Sequence, residues 1–453
     1  MTNHVCLTGR VPAGRAQPPR TARGAAARLF RHVAVDVEPL RASRDFRLLV
    51  LGNFVTGLGT QATLVALPYQ LYLQTRSPLL TGLLGAVELG PLIAMSLYGG
   101  ALADRMDRRR LLLVDQLALV TIAAALAAGA FAGSPPLALL YVLAALLAGF
   151  SAVQNVARSA IVPNVVDRPR LRGALALNFG LYQLTMVIGP ALGGVLIAAA
   201  GLGTAYTIDA ASCLGMVLAV TAMGAQPPHE LHAHPSIRRS ILDGLRFVRS
   251  NRALVGSFGI DLAAMTFGMP RTLFPVLSLT VYHAGAAGTG ALFAAVSAGA
   301  TLAALSTGWL ARTRRLGRVV IWAVLSWGAA IALAGLMRSL WPALALFALA
   351  GAADSVSAVC RSTINQTVTP DAMRGRMSAV FSLVVTSGPR FGDIESGAVA
   401  SLSTPRFSVV SGGVGCVLAA ALIARAFPAL LRYDNDVAEA SRHDASAAGT
   451  APA

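Results

Sequence analysis

Twelve apolar runs, each long enough to cross a bilayer, constrain this chain more than any single motif does. They fall at approximately 46–73, 79–102, 111–132, 137–157, 173–200, 204–223, 253–282, 289–311, 318–338, 341–360, 374–400 and 405–427. Roughly 20 helical residues, rising about 1.5 Å each, span the ~30 Å hydrocarbon layer. Within that layer every backbone N–H and C=O must be bonded inside the segment, so runs of this length cross as helices. With 453 residues, 55% apolar and only 13% charged, the chain is too hydrophobic for a water-soluble fold. The expected class is an all-α polytopic membrane protein with twelve transmembrane helices.

A formal net charge of +17 invites a nucleic-acid reading, and the distribution of charge argues against it. Every basic residue is Arg; Arg271 and Arg390 fall inside spans, Arg76, Arg338 and Arg406 in one set of loops, and the rest in the tails and the alternate loops. This asymmetry is the positive-inside pattern, which predicts both termini in the cytoplasm and a multi-pass protein of the cell membrane. Nucleic acid would require basic residues gathered on a soluble face. The domain plan is a basic disordered tail (1–45), a six-helix bundle (46–223), a cytoplasmic linker (224–252), a second six-helix bundle (253–427) and a polar tail (428–453). In the linker, Ile237, Ile241, Leu245 and Val248 recur at helical spacing opposite Arg238, Arg239, Asp243, Arg246 and Arg249, which predicts an interfacial helix. His229, His232 and His234 read as solvated linker residues, and the four cysteines have no pairing or metal-ligand spacing, so no metal is expected.

The two sixes repeat each other. Gly100-Ala-Leu-Ala answers Gly308-Trp-Leu-Ala, Arg158-Ser-Ala-Ile answers Arg361-Ser-Thr-Ile, and Gly189-Pro-Ala-Leu-Gly answers Gly388-Pro-Arg-Phe-Gly. Six crossings return the chain to its starting side, so the copies run parallel and enclose a site between them.

Between the second and third runs lies GGALADRMDRRR, residues 99–110, a turn dense in charge. Its pattern, carried by Gly100, Asp104, Arg105, Arg108 and Arg109, resembles the gating loop of the major facilitator superfamily. Where that family often has a second Gly, this chain has Asp107. Gly189, Pro190, Gly193 and Gly194 resemble the GPxxGG signature of antiporter branches, which mostly export. Proline frees a carbonyl and bends a helix, and glycine lets another helix approach closely. GLRFVRSN (244–251), TPDAMRGRMSAV (369–380) and GGALADR (99–105) are similar to the drug:proton antiporter branch that holds enterobactin exporters and Tap-type and macrolide efflux pumps. The fourth run, Tyr141–Ala157, lacks the buried Arg of other antiporter branches, and Arg312 stands where the counterpart of Asp104 would be.

Ionisable residues inside spans are functional candidates because exposing them to hydrocarbon is costly. Here they are Glu88, Asp261, Asp354, Arg390, Asp393 and Glu395, with Arg390 and Asp393 spaced to neutralise each other, leaving Glu395 unpaired. Asp209 reads as a structural hydrogen-bonding group and Asp115 as a neighbour of the Asp104 gate. Asn53, Thr56, Thr60 and Gln61 form one stripe of the first helix and are expected to line the central cavity. The resulting expectation is a secondary transporter, acting as a monomer, that exports a small amphiphilic molecule by proton antiport with no cofactor beyond the proton gradient. The alternatives are an importer of the same fold and a non-transporting membrane sensor. With no nucleophile–base pattern, metal motif or phosphate loop, an enzyme is not expected.

Overall fold

The computed structural model describes residues 38–227, 237–370 and 373–434, and these are helical throughout apart from short turns. The tail before residue 38, the three linker histidines, most of the C-terminal tail and the side chains of Asp104 and Arg312 lie outside the described residues. A short helical turn (Glu38–Ala42) leads into α1 (Arg44–Thr75), α2 (Pro78–Arg105), α3 (Arg108–Phe131), α4 (Leu137–Val165) and α5 (Leu171–Thr221). After the linker helix α6 (Ile237–Ser250) come α7 (Arg252–Phe267), α8 (Phe274–Thr280), α9 (Gly285–Ser306), α10 (Leu316–Leu336), α11 (Leu340–Val368), α12 (Arg374–Leu402) and α13 (Pro405–Ala426).

Among the described residues, ten helical stretches are long and apolar enough to cross a membrane. The longest includes α5, which holds two crossings divided at Gly201, where φ is +83° and a side chain would be strained. The twelfth is α12, whose apolar character is diluted by Arg390, Asp393 and Glu395. One crossing is not continuous. A single helix over 253–282 is expected, but α7 stops at Gly268 and resumes as α8 after a 3-10 turn at Arg271–Leu273. Pro270 has no N–H to donate and disfavours helical geometry at Met269, so the break falls there. The freed carbonyl of Gly268 accepts from Trp327 Nε1 at 3.0 Å, which satisfies it inside the apolar core.

Each half forms its own bundle. In the first, α5 packs along α1 and α3 while α2 packs on α4; in the second, α12 and α13 flank α7 while α11 lies between α9 and α10. Phe274 stacks edge-on against Phe293 and Phe347 at 4.9 and 5.1 Å, anchoring α8 to α9 and α11. The linker helix α6 docks by Val248, which is buried with Leu254, Phe258, Met377 and Val380. Leu242 and Leu245 on the same helix stay exposed.

Two seams join the halves: α2 against α12, and α5 against α9. Both are built on glycine. A Cβ on Gly82 would meet the Asp393 carbonyl and lie 2.9 Å from Gly397 Cα; one on Gly194 would lie 2.8 Å from Gly290 Cα. Gly82 and Gly290 are related by the same 208-residue offset that relates Gly100 to Gly308, so the seams are two copies of one contact. All these glycines lie toward the bundle end remote from the described chain ends, whereas Gly100, Gly180 and Gly308, nearer those ends, have nothing within 4 Å. The halves therefore meet at one end and part toward the other. Along α5 and α9 the contact reaches as far as the Gln183–Thr301 hydrogen bond, at 3.4 Å.

Candidate functional site

The loop after α2 is held within the first half. Asp107 caps α3, accepting from the N–H groups of Arg109 and Arg110 at 2.8 and 3.4 Å, so the residue that replaces the family's glycine does useful local work as an N-cap. Arg108 Nη1 donates at 2.9 Å to both the Ala160 carbonyl and Asn164 Oδ1 near the end of α4. Arg109 donates to the carbonyls of Val220 and Thr221 at 2.9 and 2.6 Å, the last of α5. Both guanidiniums thus satisfy carbonyls close to helix C-termini, where the helix dipole favours positive charge. Arg105 is exposed and Gly100 faces open space.

The antiporter-like motif divides its contacts. Gly189 lies against Gln61 and Gly193 against the Ala62 backbone, both on α1, while Gly194 and the Pro190 carbonyl meet Gly290 across the seam. In the second copy, Gly388 and Gly392 lie likewise against Met265 on α7. There the repeat positions of Ala191 and Gly194 carry Arg390 and Asp393. One seam is neutral and the other is charged.

The charged seam joins three of the candidate residues. Arg390 Nη2 lies 2.8 Å from Glu88 Oε2 on α2, an ion pair between the halves. Its other arm is 3.7 Å from Asp393, so the neutralisation expected within α12 is the longer of two contacts. Glu395 makes no ion pair with a described residue and is partly buried. Close by, Thr272 Oγ1 donates to the Asp393 carbonyl at 3.4 Å, fixing the 3-10 turn of the broken helix to α12.

Asp261 and Asp354 are brought together by a residue absent from the expected set. Arg361, 2% exposed, pairs with Asp261 at 2.8 Å and Asp354 at 3.7 Å and donates to Ser357 at 2.8 Å. Its repeat partner Arg158 is likewise inside a helix, because α4 runs on to Val165; the expectation that the fourth crossing lacks a buried Arg is corrected by eight residues of helix. The apolar run ends at Ala157 because Arg158 itself interrupts it. Asp115 on α3 is buried with both carboxylate oxygens unpartnered, and its expected neighbour, the Asp104 side chain, lies outside the described residues. The signal was present in the sequence: both arginines mark the internal repeat.

The polar stripe of α1 is also corrected. Thr56 donates to the Ser212 carbonyl at 3.2 Å; Thr63 and Thr60 donate to Asp209 at 2.6 and 3.4 Å; Gln61 is buried against Met186 and Gly189. These groups pair with α5 because facing a neighbouring helix satisfies their hydrogen bonds. Asn53 keeps a buried Oδ1 without a protein partner.

Residues 35–448 match the family model described as transmembrane secretion effector. The enterobactin exporter EntS of Shigella boydii serotype 4 (strain Sb227) is 29% identical over 396 residues, covering 87% of this chain and 94% of that protein. EntS of Escherichia coli O139:H28 (strain E24377A / ETEC) matches with the same identity and coverage. Among solved structures, the nucleoside transporter NupG superposes with a TM-score of 0.67 at 14% identity, covering 86% of this chain and all of that one (100%). A bacterial homologue of the human lysosomal transporter Spinster, solved inward-facing and unoccupied, gives 0.65 at 15% identity over 85% of this chain and 98% of its own. At these identities the structures speak for the fold alone: twelve helices in two parallel sixes.

Proposed function

Because the chain belongs to the transmembrane secretion effector family, within the major facilitator superfamily, we propose that it exports a small amphiphilic, siderophore-like molecule in exchange for protons. The class of molecule is suggested by the EntS relatives, the direction by the same relatives and by the GPxxGG motif. The observation that carries the mechanism is the 2.8 Å Glu88–Arg390 ion pair between the halves.

That pair sits in the seam that closes one end of the molecule. If the basic loops face the cytoplasm, the closed end faces outward and the parted end faces the cytoplasm, the position in which an exporter loads. Releasing the load outward requires the seam to open and the pair to separate. Separating two charges in a low-dielectric seam is costly, because each loses a partner that water does not replace. A proton on Glu88 removes that cost: the neutral carboxyl no longer holds the guanidinium, and Arg390 retains Asp393 3.7 Å away. Low external pH therefore favours opening outward, and a proton released inward afterwards restores the lock. The sign is that of an antiporter.

The test is efflux of enterobactin and a fluorescent drug panel from energised cells lacking their own pumps. Glu88→Gln is expected to lower efflux at least tenfold at unchanged membrane abundance, with the remainder insensitive to a protonophore. Wild-type efflux by Glu88→Gln, still collapsing with the protonophore, would rule out this residue as the coupling acid.

A further inference from the structure

The arginines near the parted end differ in what holds them. Arg108 and Arg109 donate to helix carbonyls, Arg376 pairs with Asp243, and Arg170 pairs with Glu38. Three others have no such partner. Arg315, the N-cap residue of α10, Arg318 in its first turn, and Arg425 in the last turn of α13 are exposed and make no ion pair or side-chain hydrogen bond with a described residue. Neither α10 nor α13 contains an acidic residue that could neutralise them.

Backbone contacts bring these three arginines to one height. α10 and α13 run antiparallel and touch: Gly317 packs on the carbonyl of Leu430 just beyond α13, Cys416 Sγ lies 3.9 Å from the Val324 carbonyl, and Gly328 packs on that of Gly413. Arg318 lies between the first two contacts on one helix, and Arg425 lies between them on the other. With 3.6 residues per turn, the exposed residues of both helices turn away from the contact on the same side, because the helices are antiparallel. On α10 this lane is Arg315, Arg318, Trp322, Ala329 and Leu333; on α13 it is Leu418, Leu422 and Arg425. Trp322 is 69% and Leu422 66% exposed, so the two lanes flank an open groove. From Trp322 to Leu333 the helix rises about 16 Å, close to half of the hydrocarbon layer. The groove covers one leaflet.

We propose that the α10–α13 groove holds an anionic phospholipid, with its phosphates among Arg315, Arg318 and Arg425, its glycerol level at Trp322 and an acyl chain running past Ala329 to Leu333. The polarity of the groove follows that of the lipid from end to end. Guanidinium forks match phosphate oxygens, and their stems let the charge reach the headgroup layer. An indole favours the boundary between headgroups and hydrocarbon. Below it, the small side chain of Ala329 leaves a trough that an acyl chain fills. Basic pockets between crossings suit headgroups carrying more than one phosphate, and three guanidiniums without a carboxylate supply the complementary charge. Neither α10 nor α13 takes part in the seams between the halves, so the site stands whether or not the chain exports.

The experiment titrates the full-length protein, purified in detergent, with oleoyl cardiolipin or oleoyl phosphatidylcholine and counts bound lipid by native mass spectrometry; thermal unfolding is followed in parallel. Wild type is expected to hold its first cardiolipin about tenfold or more tighter than phosphatidylcholine. Arg318→Gln and Arg425→Gln each weaken cardiolipin about fivefold and leave phosphatidylcholine unchanged. Trp322→Ala weakens both lipids, since the ring meets the part they share. Arg172→Gln, the same loss of charge at an exposed position of the first half, changes neither. Cardiolipin raises the unfolding temperature of wild type but not of the Arg318→Gln/Arg425→Gln double variant. Because these side chains are exposed, the variants should unfold at the wild-type temperature without lipid; if one does not fold, the other single variant decides. Equal wild-type affinity for the two lipids overturns the site, as does a loss in Arg172→Gln matching that in Arg318→Gln. If water-soluble glycerol phosphate raises the unfolding temperature as much as cardiolipin does, the groove binds a free anion and the lipid proposal fails.

Discussion

At the scale of single residues, the interior charges sort by how many partners each has. Arg361 is the most enclosed, with Asp261, Asp354 and Ser357 about it, all on two helices of one half. Removing one member of such a buried set leaves the others uncompensated, at a cost of about 3–5 kcal/mol. Arg361→Gln is therefore expected to lower the thermal unfolding temperature of the purified protein markedly, while Glu88→Gln, in the seam proposed to open, lowers it much less; equal shifts would contradict the proposed division between structural and working charges. Burial of Glu88, Asp261 and Asp393, and partial burial of Asp354, was legible in the sequence, because a carboxylate in an apolar run has few other places to go. The identity of their partners was not. Glu88 and Arg390 lie in different copies of the repeat, and hydropathy says which residues are buried without saying which ones meet.

At the scale of helices, the crossings were readable because a bilayer imposes one length and one composition on each of them. Structure and sequence pattern differ where a helix departs from that rule. α4 continues through Arg158 to Val165, and the charge that ended the apolar run did not end the helix. The seventh crossing breaks at Gly268–Pro270, where a single proline interrupts the helix without altering the apolar run around it. The polar stripe of α1 marks one face of its helix, and periodicity cannot tell whether that face meets a neighbouring helix, as it does here, or a water-filled space. Glycine contacts make a sharper prediction at this scale. A side chain at Gly290 would meet the Pro190 carbonyl and the Gly194 backbone, which cannot move aside as a side-chain tip can. Gly290→Val should leave each half folded and the protein present in the membrane, yet abolish efflux by holding the neutral seam apart. Gly215→Ala, in a helix with open space beside it, should be neutral or stabilising by about 0.5–1 kcal/mol.

For the whole molecule, the arrangement is two helical bundles joined along two strips, α2 against α12 and α5 against α9. If they rock, accessibility must exchange between the ends. In a variant lacking its native cysteines, Tyr182→Cys should react with a thiol reagent quickly from the parted end, while Ser396→Cys, 3% exposed at the closed end, reacts slowly. Acidifying the closed side should reverse the order, and labelling rates that do not respond would argue against rocking. The doubling of the chain has a further consequence for how such a protein can change over generations. The α5–α9 strip needs glycine at Gly194 and Gly290 but holds no set of interdependent charges, so the residues around those glycines can change one at a time. The α2–α12 strip holds Glu88, Arg390 and Asp393 as a set, and a change in one strands the others. A lineage can thus vary residues around the neutral strip while the coupling proposed for the charged one stays fixed.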